Sequence, residues 1–281
     1  MPTMDEVKEG VFSINPESAL GPDGLNALFY QASWTIIAKE VHEAVVPFFE
    51  GENIPKFFTH TCLVMIPKVD FPQHLTDLRP ISLCNVSSKI FAKMLNARLP
   101  KVVSINQSGF IKGRFISENI QLAQEIIKNI KKPQKKWNVV MKLDIAKAYD
   151  RVAWLYLYSL MERLGFSKEW ISLIKRHISN NWYSLIVNRR RYGFFKSENG
   201  LRQRDPISLS LFVLSAELLS IMLNNLQERR GFTGFQMCKQ GPLINHLEFA
   251  DDLILFSSGR RKTINMIMRT LAEYETAPDK R

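Results

Sequence analysis

A pair of aspartates interrupts an apolar segment near the end of the chain, and this pair constrains the fold more than any other feature. Phe249 and Ala250 precede Asp251 and Asp252, and residues 253–256 are all apolar. Short apolar runs on both sides of such a pair predict two neighbouring β-strands that are joined at the aspartates. Placing carboxylates beside apolar strands is costly unless a cation neutralises them, so we expect the tip of this hairpin to meet a cation.

A second acidic position lies upstream, at the end of another predicted strand. Residues 139–143 contain adjacent β-branched side chains, and Asp144 follows them. If this strand lies beside the hairpin in one sheet, Asp144 and Asp251 meet at its edge. Carboxylate oxygens are ligands of Mg²⁺, and a pair of such ions can stabilise the attacking and leaving oxygens in nucleotidyl transfer. Metal-assisted phosphoryl transfer by a nucleic-acid polymerase is therefore the first hypothesis.

Each acidic site has a simpler interpretation when it is taken alone. Asp251 and Asp252 could form only a turn, and Asp144 could end a strand and cap the following helix. The metal-binding hypothesis is favoured because both sites occur together with the motifs described below.

Composition favours a polyanionic partner. The chain has 281 residues, with 38 Lys and Arg against 27 Asp and Glu, which gives a formal net charge of +11. Such an excess favours nucleic acid, because each neutralised phosphate releases counterions. The cysteines, Cys62, Cys84 and Cys238, follow no ligand or pairing pattern, which argues against a zinc site and against a disulfide-linked partner.

No segment predicts a signal peptide or a membrane span. Residues 1–10 are acidic and polar, and the apolar residues 209–226 include Glu217 and two asparagines. The first segment lacks the apolar core of a secretory signal, and the second is typical of a buried helix. We therefore expect an intracellular protein, in the nucleus or the cytoplasm, that does not bind a membrane.

The remaining pattern predicts helices and strands that do not alternate regularly, which is typical of an α+β fold. Helices are expected over residues 25–49, 86–99, 119–130, 154–164, 168–178, 205–226 and 262–274, a strand over 61–67 and a hairpin over 185–195. Residues 1–20 show no strong periodicity. The basic cluster at 131–136 is the expected boundary between an N-terminal part, 1–138, and a C-terminal part, 139–281.

Further residues are candidates for binding a nucleotide and its template. Lys68 and Arg79 lie on an extended pair and could reach a triphosphate, and Gln203 lies in a loop before the long helix. Tyr149 could stack on the incoming sugar and exclude a 2′-hydroxyl, and residues 107–114 suit a contact with the template backbone. The alternatives are solvated cations, a loop that only caps the helix, and a core tyrosine.

Taken together, these motifs resemble the reverse transcriptase of non-LTR (LINE-type) retrotransposons, in particular those of plants. The similarity runs in order through residues 21–24, 66–68, 79–85, 106–114, 142–150, 200–206 and 249–252. The resemblance implies an RNA-directed DNA polymerase that uses an RNA template, a DNA primer and dNTP substrates. It implies Asp144, Asp251 and Asp252 as catalytic metal ligands, with Mg²⁺ as the cofactor and Mn²⁺ as an alternative.

The same resemblance assigns the other candidates and the architecture. It implies Lys68, Arg79 and Gln203 near the nucleotide, with Tyr149 as the residue that selects the sugar. It also implies a right-hand polymerase, with the N-terminal segment and fingers in residues 1–138 and a palm, an antiparallel sheet with packed helices, in residues 139–281. The palm is expected to be incomplete and the thumb to be missing, as in a fragment of a longer polyprotein.

Some positions depart from the family pattern. Arg204 stands where the family has glycine, Leu209 where proline is common, and Ser88 where an aromatic residue is common. Glycine allows close approach and unusual dihedral angles, so a bulky cation in its place could block the nucleotide or the template. A catalytically impaired remnant that only binds nucleic acid is therefore the alternative function. The sequence predicts no oligomeric state.

Overall fold

The computed structural model describes residues 1–99, 103–109, 113–128, 130, 138–145, 148–235 and 244–276. The chain forms two compact units, each built from two separate segments. Unit 1 comprises Met1–Pro100 and Met161–Ser208, and unit 2 comprises Lys101–Leu160 and Leu209–Arg281. These divisions differ from the single boundary expected between residues 138 and 139, and the basic cluster at 131–136 lies outside the described residues.

The described elements mix helices and strands, as predicted for an α+β fold. In chain order they are α1 (Met4–Phe12), α2 (Ala27–Ala32), α3 (Trp34–Glu50), α4 (Lys56–Thr59), β1 (His60–Pro67), a 3₁₀ turn (Leu75–Asp77), β2 (Leu78–Cys84), α5 (Val86–Arg98), α6 (Ile116–Lys128), β3 (Asn138–Asp144), α7 (Trp154–Arg163), α8 (Lys168–Ser179), β4 (Trp182–Val187), β5 (Arg190–Lys196), α9 (Ser208–Leu226), β6 (His246–Phe249), β7 (Asp252–Ser258) and α10 (Arg261–Glu275).

Unit 1 contains a four-stranded sheet in the order β2-β1-β4-β5. β1 pairs antiparallel with β2 and parallel with β4, and β4 and β5 form the predicted hairpin. Helices α1, α3 and α5 contribute the fully buried side chains of Val7, Phe48, Phe91 and Leu95 to the core. Buried positions recur at helical spacing in α1, where Val11 follows Val7, and in α5, where Leu95 follows Phe91, so burial of one face stabilises these helices.

Two details of unit 1 differ from the sequence prediction. Helix α1 was not predicted, yet the Thr3 hydroxyl accepts a hydrogen bond from the Glu6 amide, which is a standard N-terminal cap. The single helix expected over residues 25–49 is instead two helices, because Ser33 ends α2 and precedes α3.

Unit 2 contains a three-stranded antiparallel sheet in the order β3-β7-β6. Side chains of β7 alternate between its two faces, as expected for a strand. Leu253 and Leu255 pack with residues of α9 and α10, including Leu223 and Ile267. Phe256 instead packs with a second cluster that includes α6. The central strand is therefore covered on both faces, which fixes the register of the strand ends.

Among the described residues, α9 is the one helix with the length and composition to cross a membrane. However, 61% of its most apolar stretch is buried within the protein. The apolar sequence is accounted for by core packing, in agreement with the interpretation of residues 209–226 as a buried helix.

Candidate active site

The two predicted aspartates lie at the tip of a tight hairpin in unit 2. β6 ends at Phe249, which pairs with Asp252 at the start of β7, so Ala250 and Asp251 alone form the loop. Ala250 has a φ of 54°, in the left-handed region. Hairpins with two-residue loops need such a backbone conformation to match the twist of their strands, and glycine usually provides it. The sharp turn brings Asp251 and Asp252 to the exposed end of the sheet.

The third aspartate, Asp144, lies directly beside this hairpin. β3 pairs with β7, and Asp144 is the register partner of Asp252. The Ile145 amide also donates a hydrogen bond to the Asp251 carbonyl oxygen, at 3.4 Å. Side chains of register partners project from the same face of a sheet. The structure therefore brings the three aspartates to one sheet edge, with Asp252 rather than Asp251 directly opposite Asp144.

Lys142 is a cation at this edge that the sequence analysis did not identify. Its Nζ lies 2.9 Å from Asp252 Oδ1. A hydrogen bond and the charge of Asp252, followed by the charges of Asp144 and Asp251, raise the pKa of Lys142. One ammonium group thus lies in the field of all three carboxylates. The sequence feature that could have identified Lys142 is its position two residues before Asp144, because residues two apart in a strand have their side chains on one face.

The three carboxylates at this edge are chemically suited to bind a divalent cation, but they are not arranged as a set of metal ligands. Asp144, Asp251 and Asp252 are all exposed carboxylates, the oxygen ligands that Mg²⁺ prefers. Within the described part of the chain, no three His, Cys, Asp or Glu side chains are grouped as metal ligands. Lys142 instead neutralises Asp252. A bound cation would therefore replace this ion pair.

Tyr149 lies in the same unit, near Asp251. Its ring stacks on Phe212 of α9 with a centroid distance of 5.1 Å and an interplanar angle of 20°. Burial, and secondarily the charge of Asp251, raises the pKa of Tyr149 to about 12. The phenol is therefore neutral at physiological pH, and its ring packs against α9 near the acidic edge.

Residues 107 and 108, the first two of the segment that was expected to contact a template, lie against β6. The Glu248 amide donates to the Asn106 carbonyl oxygen at 2.9 Å, and the Ser108 amide donates to the Glu248 carbonyl oxygen at 3.1 Å. Gln107 and Ser108 are buried, so their side chains do not face a solvent groove. Phe110 and Lys112 of the same predicted motif lie outside the described residues.

Two titratable side chains of β6 are buried behind the hairpin tip. Burial lowers the pKa of His246 to about 4, and the imidazole contacts the Ser220 hydroxyl at 2.7 Å. Burial, together with the charge of Glu217, raises the pKa of Glu248 to about 8. His246 Nε2 lies 3.6 Å from Glu248 Oε1. Because burial disfavours both charged forms, His246 and Glu248 contact each other as uncharged side chains.

Lys68 and Arg79 lie together at one end of the β1–β2 pair in unit 1. Arg79 is the register partner of Ile66, and Lys68 directly follows the end of β1. Both side chains are exposed. Lys68 Nζ donates to the Thr76 carbonyl oxygen at 2.9 Å, so the ammonium is held on the connection between the two strands. Both cations are therefore exposed near the same end of the strand pair.

Gln203 lies in a loop of unit 1 that is held by a buried ion pair. Arg202 binds the carboxylate of Asp205, and its Nη2 also donates to the Ser88 hydroxyl at 2.7 Å. Burial alone would raise the pKa of Asp205, but Arg202 and His177 lower it below its usual range. Ser88, which replaces an aromatic residue of the family pattern, therefore provides a partner for the buried guanidinium.

Gln203 and Arg204, the two residues between Arg202 and Asp205, differ in exposure. Gln203 is partly exposed and Arg204 is exposed. Arg204 has a φ of 63°. A left-handed conformation is the one that glycine adopts without cost, so the glycine of the family pattern would suit this backbone.

Comparison with known proteins gives a family match over most of the chain. Residues 66–277 match the family described as reverse transcriptase (RNA-dependent DNA polymerase). The chain is 24% identical over 90% of its length to the transposon TX1 uncharacterized 149 kDa protein of Xenopus laevis, covering 19% of that protein. It is 26% identical over 91% of its length to a retrovirus-related Pol polyprotein from the type-1 retrotransposable element R2 of Nasonia vitripennis, covering 24% of that protein.

A further relative is a plant protein. An uncharacterized mitochondrial protein of Arabidopsis thaliana is 42% identical over 67 residues, which are 24% of this chain and 55% of that protein. The chain thus spans between 19% and 24% of the length of the transposon relatives named above. The family match extends from the end of β1 through α10 and includes the acidic sheet edge. This chain therefore belongs to the reverse transcriptase (RNA-dependent DNA polymerase) family.

Proposed function

We propose that the chain is the RNA-directed DNA polymerase domain of a non-LTR (LINE-type) retrotransposon of a plant. It would add dNTPs to the 3′ end of a DNA primer along an RNA template. Family membership supports the reaction, and relatives described as transposon and retrotransposable-element proteins support the source. The Arabidopsis relative supports a plant origin.

The observation that carries this proposal is the pairing of Asp144 with Asp252, with Asp251 adjacent in the turn. We propose that these three carboxylates hold Mg²⁺, or Mn²⁺. When bound, such ions would stabilise the attacking and the leaving oxygens of the transfer. Lys142 would release Asp252 and become free to contact a phosphate.

We further propose that Lys68, Arg79 and Gln203 bind the triphosphate and that Tyr149 excludes the 2′-hydroxyl of a ribonucleotide. Exposure of the two cations on one strand pair supports the first role. The rigid stacking of Tyr149 on Phe212 supports the second, because a fixed ring can reject an extra hydroxyl sterically. The assignment of residues 1–138 to the N-terminal segment and fingers, and of 139–281 to the palm, remains a prediction.

Primer extension on an RNA template, with Mg²⁺ or Mn²⁺, tests the proposal. The wild-type chain should extend the primer, and Asp251→Ala should abolish extension. Asp150→Ala is the matched control, since Asp150 is also an exposed aspartate but lies six residues beyond Asp144, the last residue of β3. Extension by Asp251→Ala at the wild-type rate, or no extension by the wild-type chain, would contradict the proposal.

The conformation of Arg204 supports a second candidate, a remnant that binds nucleic acid without polymerising. Arg204, at the position where the family has glycine, has a backbone φ of 63°. It therefore combines backbone strain with a bulky cationic side chain in the loop that carries Gln203. Salt-sensitive binding of primer–template without extension would favour this candidate. Extension that depends on Asp251 would exclude it.

A further inference from the structure

Gln107 is a fully buried polar side chain for which the proposed chemistry has no role. Its relative exposure is 0%. Its Oε1 accepts hydrogen bonds from the Gly109 amide at 2.7 Å and from the Ala250 amide at 3.1 Å. Its Nε2 donates to Glu248 Oε2 at 3.2 Å. A buried amide with all these contacts is held in place, because a buried donor or acceptor that loses its partner is costly.

The contact with Ala250 is important because this residue is strained. A residue with a Cβ is disfavoured in the left-handed region, and Ala250 has a φ of 54°. Such a conformation persists only when its surroundings enforce it. Gln107 provides that restraint through the Ala250 amide, and the next residue in the chain is Asp251. The position of the Asp251 carboxylate therefore depends on a side chain from a distant part of the sequence.

Gly109 shows how closely this segment approaches the turn. A Cβ added at Gly109 would lie 2.5 Å from the Ala250 nitrogen and 2.8 Å from Gln107 Oε1. The first distance is to backbone, so the turn itself would have to move. Only glycine fits here, and the Gln107–Gly109 segment and the acidic tip are packed without space between them.

Glu248 explains why an amide, and not a carboxylate, suits position 107. The Gln107 Nε2 donor faces Glu248 Oε2, whereas Glu248 Oε1 has no hydrogen-bond partner among the described residues. Both Glu248 and Gln107 are buried. A glutamate at 107 would place two carboxyl groups together, which is tolerated only while they share a proton.

We infer that Gln107 is a positioning residue that holds the Ala250–Asp251 turn in the geometry needed to bind the divalent cation. This inference rests on the proposed function, because it takes Asp251 as a metal ligand. It adds a determinant of metal affinity that touches neither the metal nor the substrate.

Mn²⁺ titration followed by electron paramagnetic resonance tests the inference without any catalytic assay. Gln107→Leu removes all three hydrogen bonds and should weaken Mn²⁺ binding at least tenfold. Asn106→Ala is the matched control, because Asn106 Nδ2 donates to the His246 carbonyl oxygen at 3.0 Å, at the end of β6 away from the turn. It should bind Mn²⁺ as the wild-type chain does.

Two further variants separate positioning from general destabilisation. Gly109→Ala should also weaken Mn²⁺ binding, because it displaces the Ala250 amide directly. Gln107→Glu keeps the acceptor for Ala250, so its Mn²⁺ affinity should exceed that of Gln107→Leu at pH 7 and fall towards it at pH 9, when the shared proton is lost. Wild-type affinity in both Gln107→Leu and Gly109→Ala would overturn the inference. Absence of Mn²⁺ binding by the wild-type chain would instead overturn the proposed function.

Discussion

Arg204 and Ala250 both occupy backbone conformations that suit glycine, and both flank candidate site residues. Their φ angles are 63° and 54°. Strain of this kind is concentrated at functional sites, where the surrounding structure enforces a geometry that the local sequence disfavours. Ala250 is held by Gln107, whereas the Arg204 side chain is exposed. The two positions should therefore respond differently to substitution.

We predict that Arg204→Gly raises the free energy of unfolding by up to about 1 kcal/mol, because relief of left-handed strain exceeds the extra entropy of glycine in the unfolded chain. Urea denaturation measures this change. If the side chain also blocks the nucleotide, primer extension should become faster.

Arg189→Gly is the matched control, since Arg189 also has a φ of 63° and lies in the turn between β4 and β5. It should change stability similarly without increasing extension. Equal extension by the two variants would contradict the steric role of Arg204.

Tyr149→Ala should relax the choice of sugar. Removing the ring leaves room for a 2′-hydroxyl, so we expect the ratio of kcat/KM for a dNTP to that for the matching ribonucleotide to fall about tenfold or more, which corresponds to about 1.4 kcal/mol. Single-nucleotide incorporation measures the ratio. Tyr149→Phe retains the ring and should keep the discrimination, and loss of discrimination in that variant would argue against a steric role.

At the scale of elements, the burial of β6 makes stability depend on pH. Folded Glu248 keeps its proton to about pH 8, whereas the unfolded chain loses it near pH 4.5. The unfolded state then binds fewer protons, so the free energy of unfolding falls as pH rises between these values. His246 has the opposite effect, but only below its unfolded pKa of 6.5, because its folded pKa is about 4.

Glu248 therefore dominates between pH 6.5 and pH 8. Over that window we predict a loss of about 2 kcal/mol, since one proton changes the free energy by about 1.4 kcal/mol per pH unit. Urea midpoints across the window measure the loss. Glu248→Gln should flatten the profile, and a wild-type profile that is already flat would contradict the burial of an uncharged Glu248.

The buried ion pair in the loop of unit 1 leads to a separate prediction. Asp205→Ala should cost about 3–5 kcal/mol, because it leaves the Arg202 guanidinium buried without its partner. Both side chains are nearly inaccessible to solvent. Urea denaturation of this variant and of the double variant Arg202→Met, Asp205→Leu tests the cause, because the double variant removes both charges and should recover most of the loss.

The sequence predicted most elements because their patterns are local. β1 ends at Pro67, and β3 consists of adjacent β-branched and apolar residues before Asp144, so both strands were predicted to within one residue. Helix α1 was missed because nine residues with few apolar side chains give little periodicity. The helix of residues 25–49 was not predicted to break at Ser33, because a single serine is a weak signal.

The acidic edge could be predicted, but its supports could not. Aspartates beside apolar strands are conspicuous, since few other arrangements explain them. Lys142 and Glu248 resemble ordinary solvated residues in the sequence, and Gln107 lies in a motif that indicated only a template contact. The contacts of all three arise from packing across strands. Glu248 is buried at 4% relative exposure although it lies only three residues before Asp251. The burial of Glu248 becomes apparent only in the structure, where residues 106 and 108 form backbone hydrogen bonds with this residue of β6.

At the scale of the whole molecule, net charge should govern binding of nucleic acid. With a formal charge of +11, we predict that affinity for an RNA–DNA primer–template falls steeply with salt. Contact with about six phosphates would give a slope near −5 in a plot of log K against log salt concentration. Fluorescence anisotropy between about 50 and 200 mM salt measures the slope, and a slope near zero would contradict binding through phosphate contacts.

Unit 1 is built from two separate segments of the chain, and this affects how the nascent chain folds. β1 pairs in parallel with β4, which is synthesised only after the first segment of unit 2. During that interval one edge of β1 has no partner, and unpaired edges are templates for association with other chains. Synthesis is thus the period of greatest aggregation risk, and slower translation through residues 101–160 should increase the demand for chaperones.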